Sequence, residues 1–274
     1  FTKPWQVQPE VGRTLVELDG VSCDSDGLGS TSLDNVSMTL RVGEVLGVAG
    51  VEGNGQSELV EIITGLRRPN AGALRIKGAD VGHVSSPAGM RRLGVAHVPE
   101  NRISTGLATT ASLLDNLIMG AHRSAPVARG VWIDQDAARS HAGRLVNEFD
   151  VRPGDVDADA QSLSGGNMQK AIVARELSGN PEIIVVAHPT RGVDIGAAEF
   201  IYAQLLSRRQ KAGVLLVSSD LDEILRLSDR IMVMYQGRVM AEALPKDLTA
   251  EALGLLMAGM KPAGRESPTV GAKA

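Results

Sequence analysis

Residues 50–57 read GVEGNGQS, a glycine-rich stretch between the apolar run Val45–Ala49 and a helix expected over Glu58–Leu66. Glycines at this spacing let backbone N–H groups turn inward around a phosphate, and the start of the following helix adds its dipole. Gly50, Gly55 and Ser57 fall on the pattern G-x-x-x-x-G-K-[ST], with Gly53 and Asn54 inside the loop. Gln56 stands where the pattern has Lys. A carboxamide donates a hydrogen bond but neutralises no charge, so the loop lacks its cation against the β- and γ-phosphates. The plainer alternative is a strand-to-helix turn that holds no ligand.

Residues 163–170 read LSGGNMQK. Ser164, Gly165 and Gly166 precede a helix expected from Met168 onward, so hydroxyl and N–H groups stand at a helix start, where an anion is stabilised. The alternative is an ordinary N-capped helix with Ser164 or Asn167 as the cap. Residues 182–197, EIIVVAHPTRGVDIGA, read as a buried strand and a turn carrying Asp194. Ala187 at the strand end can hold neither a metal nor a proton. His188 could accept a proton, but no carboxylate stands beside it, and a structural role is the favoured reading. Glu100, in HVPENR, and Ser219, in LLVSSDLDEI, each follow a further expected strand.

These residues are set in an alternation of strands and helices. Strands are expected at Thr14–Val21, Val36–Val42, Val45–Ala49, Leu74–Lys77, Gly94–Val98, Glu182–Val186, Val214–Val217 and Ile231–Tyr235. Helices are expected at Asp134–Phe149, Met168–Leu177, Ala197–Gln210 and Leu221–Leu227, with 100–180 mostly helical. Strands alternating with helices imply a mostly parallel sheet, and the helical stretch in the middle implies an inserted subdomain. Residues 1–13 read as a linker, 14–262 as one domain, and the small, polar 263–274 as a disordered tail.

Composition narrows the function. With 274 residues, 43% hydrophobic and 22% charged, the chain is ordinary globular protein. A net charge of −4 without a basic run argues against a nucleic-acid partner. Cys23 is the only cysteine, which excludes an intrachain disulfide and fits a reducing cytoplasm. No apolar run approaches the ~18 residues of a membrane-crossing helix. The first ten residues, FTKPWQVQPE, have neither the features of a signal peptide nor an initiator Met, which suggests a fragment of something longer.

The LSGGNMQK stretch resembles the signature motif of ATP-binding-cassette (ABC) ATPases, LSGGQ, in a form similar to that of the ATP-binding subunits of sugar and nucleoside importers. GVAGVEGNGQSELVEIITGL, VPENR, HPTRGVDIGAAEFIY and SSDLDEILRLSDRIMVMYQGRV look most like the second ATP-binding domain of the nucleoside importers. The resemblance runs from Thr14 to Met260. It implies an α/β fold of the P-loop NTPase, ABC type: a mostly parallel core sheet, an antiparallel β subdomain and an inserted helical subdomain at about 100–180.

The resemblance also implies roles. The signature residues Ser164, Gly165, Gly166 and Asn167 would contact the γ-phosphate of an ATP held by an opposite domain, in a head-to-tail pair, with the D-loop residue Asp194 crossing to that partner. Gly50, Gly53, Asn54, Gly55, Gln56 and Ser57 would form this chain's own nucleotide loop. Five positions depart from the family. Gln56 replaces the loop Lys, and Ala187 and His188 replace the Walker B Asp and Glu. Glu100 replaces the Q-loop Gln, and Ser219 the switch His. No aromatic lies between Trp5 and Trp132 to stack an adenine. The expectation is a degenerate half with no catalytic residue and no metal ligand of its own, weak or inactive alone, with ATP and its Mg²⁺ bound mainly at the composite site. Loss of both Walker B carboxylates leans toward the nucleoside branch, because sugar importers usually keep them.

The implied partners are an N-terminal ABC domain of the same polypeptide or a partner ABC chain, integral membrane permease subunits reached near 100–119, and indirectly an extracytoplasmic substrate-binding protein. The implied location is the cytoplasmic face of the membrane. A different class of reading is a soluble ABC-fold binding module on ribosomes or DNA-repair complexes. Such proteins generally need competent nucleotide motifs, and the repair members carry long coiled-coil insertions that this chain lacks. A purely structural ABC-like domain that never meets nucleotide is a third reading.

Overall fold

The computed structural model describes residues 12–25, 31–82 and 86–260. Most of the expected linker, the expected tail and Trp5 lie outside the described residues. The chain runs through β1 (Thr14–Cys23), β2 (Leu33–Arg41), β3 (Val45–Ala49), α1 (Gln56–Thr64), β4 (Ala71–Ile76), β5 (Ala79–Asp80), α2 (Pro87–Arg92) and β6 (Val95–Val98). Next come α3 (Leu113–Ile118), β7 (Ala128–Arg129), β8 (Trp132–Ile133), α4 (Gln135–Glu148) and α5 (Gly165–Leu177). It ends with β9 (Ile183–Ala187), α6 (Ile195–Arg208), β10 (Gly213–Ser218), α7 (Leu221–Leu227), β11 (Arg230–Tyr235), β12 (Arg238–Ala243) and α8 (Ala250–Met257). The described residues form two compact units: those within 1–95, 182–187 and 205–274 make the first, and those within 96–181 and 188–204 the second.

The first unit carries two sheets. One is antiparallel, in the order β2-β1-β4-β5. The other has the order β12-β11-β3-β10-β9. In it β3 pairs in parallel with β10 and β11, β10 pairs in parallel with β9, and β12 pairs antiparallel with β11. This is the α/β arrangement the resemblance implied. Every residue of β3, β9 and β10 is buried, as befits parallel strands covered on both faces. β2 alternates between buried and exposed along most of its length, the mark of a sheet with one wet face. Leu15, Leu46, Leu59, Ile63, Ile183 and Leu215 meet in the core between them. The buried Glu44 is met by Arg230 Nε at 2.8 Å, and Arg230 also donates to Glu242 and to the Thr39 carbonyl. A charge taken out of water must be paired in this way.

The second unit packs α3, α4 and α5 around Leu113, Leu117, Leu145 and Ile172. The rings of Phe149 and Phe200 meet edge to face at 6.4 Å. Residues 100–180 are less helical than expected, because a π-helical turn at Arg102–Gly106 and the β7–β8 hairpin interrupt them. The helix expected from Met168 begins at Gly165, so Gly165 and Gly166 lie in its first turn. The helix expected over Glu58–Leu66 spans Gln56–Thr64 and stops where Gly65 takes φ 77°.

Candidate functional site

Three segments of the first unit reach the carboxyl edge of the parallel sheet together. Ala49 of β3 pairs with Ser218 of β10, and Val217 of β10 with Ala187 of β9. The glycine loop, Ser219 and Ala187 therefore leave neighbouring strands at one edge, where open α/β sheets bind their ligands.

The loop is held from outside and filled from inside. Gly55, the N-cap of α1, sits at φ 102°, and a Cβ there would meet Leu33 Cδ2 at 2.8 Å. Side chains rarely take that backbone, so glycine is required. Asn54 ties the loop to the β11–β12 turn: its Oδ1 accepts from the Gln236 N–H at 2.8 Å and its carbonyl from the Gly237 N–H at 3.0 Å. Asn54 is thus a structural strut, a role its position in the motif did not reveal.

Gln56 turns into the loop. Its Nε2 donates to the Val51 carbonyl and its Oε1 accepts from the Asn54 N–H, both at 3.1 Å. The residue is 7% exposed, and its Nε2 lies 2.2 Å from where a Cβ on Gly50 would stand. The carboxamide occupies the hollow that the glycines make and uses an N–H group that a phosphate would need. Ala187 offers no metal ligand, and among the described residues no group of three or more His, Cys, Asp or Glu could hold a metal ion.

The second unit carries the other motif. Ser164 caps α5, its Oγ accepting from the Asn167 N–H at 3.4 Å and from Asn167 Nδ2 at 2.9 Å. Of the two capping candidates, Ser164 is the cap and Asn167 its support. Asn167 Oδ1 accepts from the Arg152 N–H at 2.8 Å, which fixes the amide from its other end. N–H groups in the first turn of a helix have no partner within it, so this loop can still receive an anion. Asp194 Oδ1 accepts from the Ala197 N–H at 2.9 Å and caps α6. That bond holds the Asp194 carboxyl below the usual carboxylate range, so it stays ionised at neutral pH.

Signature and D-loop touch closely. A Cβ on Gly166 would stand 2.9 Å from Asp194 Oδ2 and 3.0 Å from Ala197 Cβ. Gly166→Ala should therefore displace the Asp194 carboxylate, crowd Ala197 and destabilise the chain by about 1 kcal/mol. Urea denaturation measures this, and unchanged stability would mean that the two loops are not packed as described. Beside them lies a cavity of about 350 Å³ lined in part by Asp150, Asn167, Lys170, Asp194 and Phe200. Lys170 lies over the Phe200 ring and bonds Asp150, so the cation of this cavity is already matched.

His188 takes φ 45°, a conformation side chains seldom adopt, and its carbonyl closes a turn with the Arg191 N–H. Glu100 receives Arg191 Nη1 at 2.5 Å. Sequence reasoning missed this pair, and also Arg102, which lies against both the D-loop and Gly165.

Residues 33–191 match the profile of the ABC transporter family. The chain is similar to the glucose import ATP-binding protein TsgD13 of Haloferax volcanii, 46% identical over 96% of this chain and 47% of that protein. It is 37% identical to the guanosine import ATP-binding protein NupO of Bacillus subtilis, over 93% of this chain and 50% of that one. The nucleoside import ATP-binding protein NupA of Lactococcus lactis is 40% identical over 84% of this chain and 46% of its own length. The chain thus spans about half the length of these curated relatives. Among solved structures, the dimeric ABC transporter cassette MJ0796 superposes with a TM-score of 0.72 over 84% of this chain and 99% of that one. At 23% identity, that likeness bears on the fold alone.

Proposed function

The chain belongs to the ABC transporter family, and from that premise we propose that it is the degenerate nucleotide-binding half of an importer for a nucleoside or simple sugar. Its LSGGN loop completes an ATP site whose phosphate loop and Mg²⁺ ligands belong to a partner ABC domain. Its own loop forms a silent site. The observation that carries this reading is the contrast between the two motifs. Gln56 fills the glycine loop and Ala187 leaves it without a metal ligand, whereas Ser164, Gly165, Gly166 and Asp194 keep the groups and spacing of an anion site. At the composite site ATP supplies the phosphoryl group. This chain's residues supply N–H groups and the Ser164 hydroxyl from the side opposite the partner's loop. Preorganised donors of that kind stabilise developing charge.

Both cargo classes occur among the relatives' names, so the reading covers both. The partners in this reading are the other ABC domain, membrane permease subunits that meet the helical unit, and indirectly an extracytoplasmic binding protein. The chain would then lie on the cytoplasmic face of the membrane, with no nucleic-acid partner. Capture of the chain from membranes should bring down permease subunits, and capture of ribosomes instead would favour a soluble binding module.

Weak binding by the chain alone follows from the filled loop. Calorimetry with Mg²⁺ and ATP should give a dissociation constant in the millimolar range or no heat, about 4 kcal/mol or less. A micromolar constant would mean that Gln56 yields to phosphate readily and that other groups replace the missing cation.

A further inference from the structure

Three segments of the second unit meet at one guanidinium. Arg102 Nη1 donates to the Arg191 carbonyl at 2.8 Å and Nη2 to the Gly192 carbonyl at 3.0 Å. The same Nη2 lies 3.2 Å from where a Cβ on Gly165 would stand. One side chain from the Glu100 segment thus touches both the D-loop and the signature loop. Its own base is fixed, because Asn101 Oδ1 accepts from the Ile103 and Ser104 N–H groups at 3.0 and 2.9 Å and caps the π-helical turn. Two residues earlier, Glu100 grips the Arg191 side chain at 2.5 Å. Residues 100–102 therefore hold the 191–192 turn twice, by its side chain and by its backbone.

We propose that Arg102 is a positioning residue for the phosphate-facing surface that the signature loop presents to the partner domain, an inference that rests on the function proposed above. Gly165 and Gly166 have no side chains to anchor them, so their place is set by what lies behind. Behind Gly166 that is Asp194 and Ala197, and behind Gly165 it is Arg102 and the Gly192 carbonyl. Removing Arg102 frees two carbonyls of the D-loop and opens space behind Gly165. The N–H groups then lose their spacing relative to a phosphate. A planar guanidinium spans two successive carbonyls, whereas an ammonium is a point donor that cannot. Charge alone does not explain the contact.

The test uses the assembled transporter in proteoliposomes, with Arg102→Ala, Arg102→Lys and Gly165→Asp compared. Both Arg102 variants should lower the kcat for ATP by about tenfold or more, since a displacement near 1 Å can cost up to about 10²-fold. The KM for ATP should change by less than about twofold, because the partner's phosphate loop holds the nucleotide. Hydrogen exchange should quicken at amides 192–198, with the melting temperature of the chain unchanged. Native turnover in Arg102→Ala would overturn the inference, and so would native turnover in Arg102→Lys, which would reduce the role to charge. A lowered melting temperature with faster exchange throughout the unit would also overturn it, because the residue would then be merely structural. If Gly165→Asp left turnover intact, the signature reading itself would fall and this inference with it. If Gly165→Asp abolished turnover while Arg102→Ala did not, only the positioning role would be lost.

Discussion

Purified alone and given Mg²⁺ and ATP, the chain should release phosphate no faster than a buffer control. Phosphoryl transfer needs positioned charge more than covalent chemistry. Here the loop cation is replaced by Gln56, and the carboxamide is tied to Val51 and Asn54. The strand that should end in a metal-holding carboxylate ends in Ala187, and the next residue is His188 at φ 45°. Losing one such group typically costs about 10²–10³ in rate, and several lost together leave no measurable turnover. Gln56→Lys restores a charge but no metal ligand, so turnover should stay at background in that variant as well. A phosphate-release assay on the native chain, Gln56→Lys and His188→Ala checks this. Robust Mg²⁺-dependent turnover that disappears in His188→Ala would make His188 a working base and end the degenerate reading.

The parts of this fold that were legible in the sequence are those where one physical rule decides. The run Val45–Ala49 is apolar without alternation, and it is the strand with those bounds. Leu221–Leu227 is likewise the helix expected, capped by Asp220, whose Oδ1 accepts from the Asp222 and Glu223 N–H groups. β12 escaped because RVMAEA mixes polar and apolar residues without a clean period. In the site, the residue types were legible and their directions were not. Gln56 read as a missing cation, but that its amide would find both a carbonyl and an N–H within the loop depends on the loop's folded shape. Glu100 read as a departure from the family and proved to be half of an ion pair with Arg191. That partner is 91 positions away, and Arg102 meets the Arg191 and Gly192 carbonyls at similar range. No local pattern carries such pairings.

In the assembled transporter, Gly165→Asp should abolish ATP-driven uptake while Gln56→Ala leaves it near the native level. In the function proposed above, the backbone at Gly165 approaches a phosphate on one side, and on the other a Cβ would already stand 3.3 Å from the Gly192 carbonyl. Alanine fits there with a small adjustment, so Gly165→Ala separates bulk from charge and should be the milder change. Aspartate adds a carboxylate beside an incoming phosphate, and like charges repel across that gap. Drawn toward Arg102 instead, the carboxylate would pull the guanidinium off the Arg191 and Gly192 carbonyls and loosen the D-loop. Either outcome disables the composite site without touching a core residue, so folding should survive. Gln56→Ala removes two hydrogen bonds inside a loop that this reading leaves silent. The cost is local stability, roughly 1 kcal/mol for each bond, and not transport. Uptake and ATPase measured in parallel at matched expression decide between the two sites. If Gln56→Ala proved as damaging as Gly165→Asp, both would be in equal use, and a division of labour between a silent loop and a working signature would have to be abandoned.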